Sequence, residues 1–201
     1  MKKLSSGTLA IIVIVLVIVI DQFSKIWVKT HMSLGEMIEI TSWFKIYFIE
    51  NNGMAFGMEV IGKLFLSIFR IIAVGGIAYF LYKLVKENKY PKGFIVCFAL
   101  IWAGAFGNII DSVFYGQFFT ASYPGTVSTF TTTDGYADWL HGKVVDMLYF
   151  PLIEWTWSGE KYVFFSPVFN IADSAITVGI FILLIGYFKS LGKLFEKNPK
   201  K

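Results

Sequence analysis

From Leu9 to Ile20 every residue is apolar, and most are Ile or Val. A run of that length is too long for a buried strand and continues, after Asp21-Gln22-Phe23-Ser24-Lys25, to Val28. About 20 mainly apolar residues are needed to cross a bilayer, so residues 8–29 read as a first membrane span. The basic, apolar opening is similar to a secretory leader. No small-x-small cleavage site follows it, and we read it as a retained span. Three more such runs cover 62–84, 93–115 and 168–188. With 56% hydrophobic residues and a mean hydropathy of +0.63, the 201-residue chain is expected to be a single integral membrane domain, 1–201. The fold class expected is a membrane all-α core. It is a four-transmembrane-helix bundle with a small extracytoplasmic β-sheet lying on the membrane surface.

The sheet is expected from the segments between spans. Ile38, Ile40, Phe44, Ile46 and Phe48 recur at even positions, the period of a strand with one apolar face. Asn51-Asn52-Gly53 is a turn signal. Trp155-Thr156-Trp157, Ser158-Gly159-Glu160 and Tyr162-Val163-Phe164-Phe165 read as a hairpin. Residues 116–143, rich in Thr, Ser, Gly and Tyr, read as a surface insertion.

The net charge of +4 maps onto topology rather than onto nucleic acid. The N-terminus, the 83–92 connector and the tail hold eleven Lys against two Glu. Segments 30–61 and 116–166 hold three Lys and nine acidic residues. By the positive-inside rule both termini are cytoplasmic, and 30–61 and 116–167 are extracytoplasmic. The one cysteine, Cys97, excludes an intrachain disulfide.

Ionisable residues inside spans are costly and are functional candidates. At about 1.5 Å rise per residue, Asp21, Arg70, Asp111 and Asp173 all fall within roughly 12 Å of the outer end of their helices. Asp146 stands at the same surface. Asn108 and Asp111, and again Asn170 and Asp173, are three apart, which on a helix puts each pair on one face. Two facing carboxylates cannot both ionise easily and share a proton. One can then activate water while the other protonates a carbonyl oxygen, which is amide hydrolysis without metal or serine. The plainer readings are an intrahelical pair for Asp21 and Lys25, a counter-ion role for Arg70, a structural role for Asp111 and a turn for Asn51 and Asn52. His31 and His141 are lone, and no metal site is expected. A small proton-coupled membrane transporter and a non-catalytic scaffold are the rival classes.

Five motifs in order resemble prolipoprotein signal peptidase, the bacterial signal peptidase II. They are Asp21 to Lys25, Asn51 to Gly57, Gly104 to Asp111, Val144-Val145-Asp146 and Phe169 to Ser174. The resemblance implies an aspartic endopeptidase of the bacterial inner membrane. Such an enzyme removes the signal peptide of lipoprotein precursors just before a diacylglyceryl-modified cysteine. It implies Asp146 and Asp173 as the catalytic pair, with Val144-Val145-Asp146 the closer motif match than Asp111. Asn52, Asn108, Asn170 and Asp111 are implied to line or brace the site, with Arg70 beside them. Asp21 and Lys25 are implied to support the fold. The strands at 36–59 and 144–166 are implied to form the sheet that cradles substrate. Membrane lipid and precursor are the expected partners, with no cofactor, no nucleic acid and a monomeric state. Two departures stand out. Ser112 occupies the place of the family's usual Arg, for which Arg70 or Lys143 would have to substitute. The 35 positions from Asp111 to Asp146 are more than the family pattern suggests.

Overall fold

The computed structural model describes residues 4–52 and 62–195. The motif stretch Gly53 to Gly57 therefore lies outside the described residues. Helix α1 spans Ser6–His31, α2 spans Lys63–Glu87 and α3 spans Lys92–Ile110. A π-helical turn, Asp111–Tyr115, and a short α4, Gly116–Phe118, extend α3. Helix α5 is Ile171–Gly186 and α6 is Phe188–Phe195. Helices α1, α2 and the extended α3 are each long and apolar enough to span a membrane. Their outward faces stay apolar and exposed, as in Ile11, Val15, Val19 and Phe23 of α1 or Phe65, Phe69 and Ile72 of α2. Faces of that kind are stable only in lipid.

The fourth expected span differs from its sequence outline. Residues 168–169 are a strand, and the chain turns by 91° between α5 and α6. The apolar run is continuous, but Asn170 stops the helix from starting earlier. Its backbone is extended (φ −124°, ψ −178°), and its side chain accepts from the Asp173 backbone N–H, so it is the N-cap. Sixteen helical residues are about 24 Å long.

Helix α3 is central and packs against α1, α2 and α5. Its approach to α5 requires glycine. A Cβ on Gly104 would lie 2.2 Å from the Ala172 carbonyl oxygen, and one on Gly107 would lie 2.8 Å from Asp21 Oδ2. Small residues at helix crossings permit this backbone proximity in membranes.

The strands are β1 Met37–Thr41, β2 Phe44–Asn51, β3 Val144–Tyr149, β4 Ile153–Trp157, β5 Glu160–Phe164 and β6 Val168–Phe169. One antiparallel sheet has the order β1-β2-β3-β6. The expected hairpin at 153–164 forms, but as a separate two-stranded sheet. Ser158 (φ 53°) and Gly159 (φ 85°) make its two-residue turn, whose positive φ values suit the strand twist.

Two apolar clusters bracket a polar layer. One, with Ala10, Leu81, Leu84, Phe94, Ile95 and Leu183, fills the bundle end remote from the sheet. The other, with Val28, Met32, Phe48, Tyr115, Val145 and Met147, joins the bundle to the sheet. Between them lie the fully buried Asp21, Lys25, Asp111 and Asn170. Ile38, Ile46 and Phe48 of the even-numbered strand pattern face this second cluster, while Ile40 stays exposed.

Candidate active site

Strand β3 delivers Asp146, and the first turn of α5 delivers Asp173. Asn170 joins them. Its Nδ2 donates to Asp146 Oδ1 at 2.6 Å, and its backbone N–H donates to Asp173 Oδ2 at 3.4 Å. Its Oδ1 accepts from the Asp173 backbone N–H at 2.9 Å, completing a reciprocal capping box. The three-residue spacing therefore works through the cap and not along one helical face. Each carboxylate has a further amide donor. Asn51 Nδ2 meets Asp146 Oδ2 at 2.5 Å, and Asn108 Nδ2 meets Asp173 Oδ1 at 2.8 Å.

Lys25 sets the orientation of Asn108. Its ammonium donates to Asn108 Oδ1 at 2.8 Å, which leaves Nδ2 facing Asp173. The same ammonium lies 3.0 Å from Asp21 and 2.9 Å from Asp111, all three side chains fully buried. The expected Asp21–Lys25 pair thus forms, and Asp111 joins it. Gln22 Nε2 donates to both Asp21 Oδ2 and Asp111 Oδ1, while Asp21 Oδ1 accepts the Ala172 backbone N–H at 2.8 Å. These bonds tie α1 to α3 and to the start of α5. Buried charges are tolerated where geometry and hydrogen bonding compensate their desolvation.

Asp111 braces the site from behind. Its Oδ2 accepts from the Val145 backbone N–H at 3.2 Å, one residue before Asp146. The π-turn makes this possible. Backbone carbonyls of Ser112 and Val113 accept from the N–H groups of Gly142 and Leu140, so the chain entering β3 docks on α3. A Cβ at Gly142 would stand 2.1 Å from the Asp111 carbonyl oxygen. The Asn108–Asp111 and Asn170–Asp173 pairs are not equivalent, because Asn108 serves Asp173 while Asp111 serves Lys25.

Asp146 is 1% exposed, and Asp173 is half-buried. Burial first, and the Asp173 charge second, push the Asp146 carboxyl up to about 7. The Asn170 amide, the Lys25 charge and the Asn51 amide act in the opposite direction.

Ser112 is buried, and its hydroxyl donates to the Asn108 carbonyl at 3.0 Å. Of the two candidate substitutes, Arg70 stands where its charge acts on Asp173, Asp111 and Asp146. Lys143 instead pairs with Glu50 at 3.5 Å. Asn52, expected in the site, is exposed, and its carbonyl accepts from Lys63. Its neighbour Asn51 is the residue that reaches Asp146. The sequence reading missed this because Asn51-Asn52-Gly53 has the composition of a turn. The strand alternation at 44–48, continued to 51, was the available signal. Gln22, Lys29 and Glu50 also enter buried polar networks, and Asp21, Lys25 and Lys29 recur every fourth residue.

The family model described as signal peptidase (SPase) II matches residues 13–189. The chain belongs to the signal peptidase II family. It is accordingly a membrane peptidase, and family membership sets aside the transporter and scaffold readings. The chain is 48% identical to a lipoprotein signal peptidase of Porphyromonas gingivalis, over 98% of this chain and 90% of that protein. It is 30% identical to the one from Staphylococcus aureus, over 99% of each. A solved bacterial membrane enzyme superposes with a TM-score of 0.65 at 27% identity, covering 95% of this chain and 94% of that one. A second superposes with a TM-score of 0.62 at 28% identity, covering 88% and 90%. Membership of the signal peptidase II family thus extends over nearly the whole chain, including the polar layer and both acid-bearing elements.

Proposed function

We propose that this signal peptidase II cleaves diacylglyceryl-modified lipoprotein precursors just before the lipidated cysteine, using water activated by Asp146 and Asp173. The observation that carries the reading is Asn170, which hydrogen-bonds both carboxylates at once. Asp146, buried and pushed up to about 7, carries the proton the pair shares. Asp173 takes a proton from water as that water's oxygen bonds to the scissile carbonyl carbon. Asp146 gives its proton to the carbonyl oxygen. Collapse of the tetrahedral adduct breaks the C–N bond: the leaving amine takes the proton held by Asp173, and one hydroxyl of the adduct returns its proton to Asp146 as the carboxylic acid forms.

The membrane placement belongs to the same proposal. α1, α2, extended α3 and α5 are four spans, with both termini cytoplasmic by the positive-inside rule. The sheet lies on the extracytoplasmic surface. Helix α5 is short for a span, so its first turn, with Asp173, sits near the level where a lipid-tethered cysteine would rest. Helix α6 turns away with Phe188, Leu191 and Leu194 on one side and Lys189 and Lys193 on the other. That pattern suits a helix lying in the inner interface. Membrane lipid and precursor are its partners, and it acts as a monomer.

Asp146→Asn and Asp173→Asn are each expected to abolish cleavage of a synthetic diacylglyceryl precursor peptide. The drop is expected to be about a thousandfold or more, with Tm in detergent near wild type. Full activity in either variant would overturn the assignment.

A further inference from the structure

A second charged cluster lies away from the two acids. Lys29 Nζ donates to Glu50 Oε1 at 2.5 Å and to Ser122 Oγ at 3.0 Å. Ser122 Oγ donates to Glu50 Oε1 at 2.9 Å, and Lys143 Nζ stands 3.5 Å from Glu50 Oε2. The Lys29 side chain is fully buried, and that of Glu50 is 3% exposed. The Tyr136 ring faces both ammonium groups, at 4.9 Å from Lys29 and 5.8 Å from Lys143. Its hydroxyl accepts the Lys143 backbone N–H at 2.6 Å. Three parts of the chain meet here: the end of α1, strand β2 and the insertion 116–143.

The cluster adjoins the residue that meets Asp146, since Asn51 donates to that carboxylate. Glu50 immediately precedes Asn51, and Lys143 immediately precedes Val144, the residue paired with Asn51 in the sheet. Side chains alternate along a strand, so Glu50 and Asn51 point to opposite faces. Fixing one fixes the other. The ladder between β2 and β3 is interrupted between Ile46 and Ile49 and resumes over Ile49–Asn51 against Val144–Asp146, so this end of β2 is a short paired segment set off from the rest of the strand. A buried cation and carboxylate are an expensive way to cover a loop, and register control is the best-attested use of such groups.

We propose that Lys29 and Glu50, closed over by Ser122 of the insertion, are positioning residues for the hydrolysis. They hold the end of β2 so that the Asn51 amide meets Asp146. The insertion is thereby part of the active-site scaffold and not a surface decoration. This rests on the Asp146–Asp173 reading.

The test is steady-state kinetics of the full chain in detergent against a diacylglyceryl precursor peptide, from pH 5 to 9. Glu50→Gln is expected to lower kcat about 10- to 100-fold, since misplacement by about 1 Å costs that much. KM is expected to stay within about twofold. The midpoint of the kcat–pH profile is expected to rise, because the Asn51 hydrogen bond favours ionised Asp146. The other groups facing Asp146, which are Asp173, Lys25, Arg70 and Asn170, are unchanged in this variant. Lys29→Met is expected to act alike, and Lys29→Arg to recover most of kcat. Wild-type kcat and midpoint per folded enzyme in Glu50→Gln, with only Tm lowered, would overturn the proposal. Should Glu50→Gln fail to accumulate, Ser122→Ala decides. A fall in kcat of about threefold or more with the same upward midpoint supports the proposal, and wild-type values sink it. Failure of the dyad reading is distinct, since it appears as cleavage by Asp146→Asn with the cluster intact.

Discussion

Asparagine does at this site what metal ions or backbone loops do elsewhere. Asn51, Asn108 and Asn170 place amide N–H groups on the oxygens of two carboxylates, and each amide is fixed by a second partner or by strand position. An amide donor favours the ionised acid without carrying a charge of its own. These donors thus oppose the burial and like charge that push the Asp146 carboxyl up to about 7. Infrared titration of the Asp146 carboxyl band is expected to show a midpoint near 7. The midpoint should fall in Asp173→Asn, which removes the like charge, and rise in Asn51→Ala, which removes a donor. The sign for stability follows. Between about pH 4 and 7 folded Asp146 keeps a proton that the unfolded chain has lost, so its contribution to stability declines as pH rises through that window. Asn51→Ala is also expected to lower kcat about 10-fold or more, whereas Asn52→Ala stays within about threefold. Equal effects would return the role to Asn52.

The elements matter through how closely they approach. Asn108 reaches Asp173 because α3 and α5 cross with glycine at the contact. Gly104→Ala places a methyl group 2.2 Å from the Ala172 carbonyl oxygen, backbone that cannot rotate aside. Forced overpacking of this kind costs about 1–3 kcal/mol. The variant is expected to lose that much stability by thermal unfolding in detergent and to lower kcat by separating Asn108 from Asp173. A wild-type Tm with full activity would show that the helices part without strain. The π-turn at 111–115 has a comparable role. By leaving helical carbonyls to the N–H groups of Leu140 and Gly142, it seats the start of β3 beside Asp111.

For the whole molecule, two apolar clusters flank one polar layer, and every acid of interest lies in or beside that layer. The lipid-facing surface supplies no driving force between helices, so hydrogen bonds and close packing do that work. Lys25 is the junction, touching Asp21, Asn108 and Asp111. In the proposed reaction Asp146 and Asp173 alone move the protons, with no step assigned to a metal ion. Cleavage is therefore expected to continue unchanged after exhaustive chelation with EDTA and dialysis. Loss of activity restored by a divalent ion would refute the metal-free mechanism.

Much was legible without coordinates. Long apolar runs have no stable place but a bilayer, lysine asymmetry gives an expected orientation, and a carboxylate inside such a run has to have a reason to be there. The β4–β5 hairpin followed from its Ser-Gly turn and alternating aromatics. Local chemistry of this kind is written in neighbouring residues. What the chain order could not reveal were relations between distant segments: that Asn51 rather than Asn52 meets Asp146, that Asp111 bonds Lys25 and Val145, and that Lys29 and Glu50 close on Ser122. Each depends on strand register, on a π-turn or on a helix starting at Asn170. A shift of one residue in any of these sends a different side chain to the site, and only the packed structure decides which.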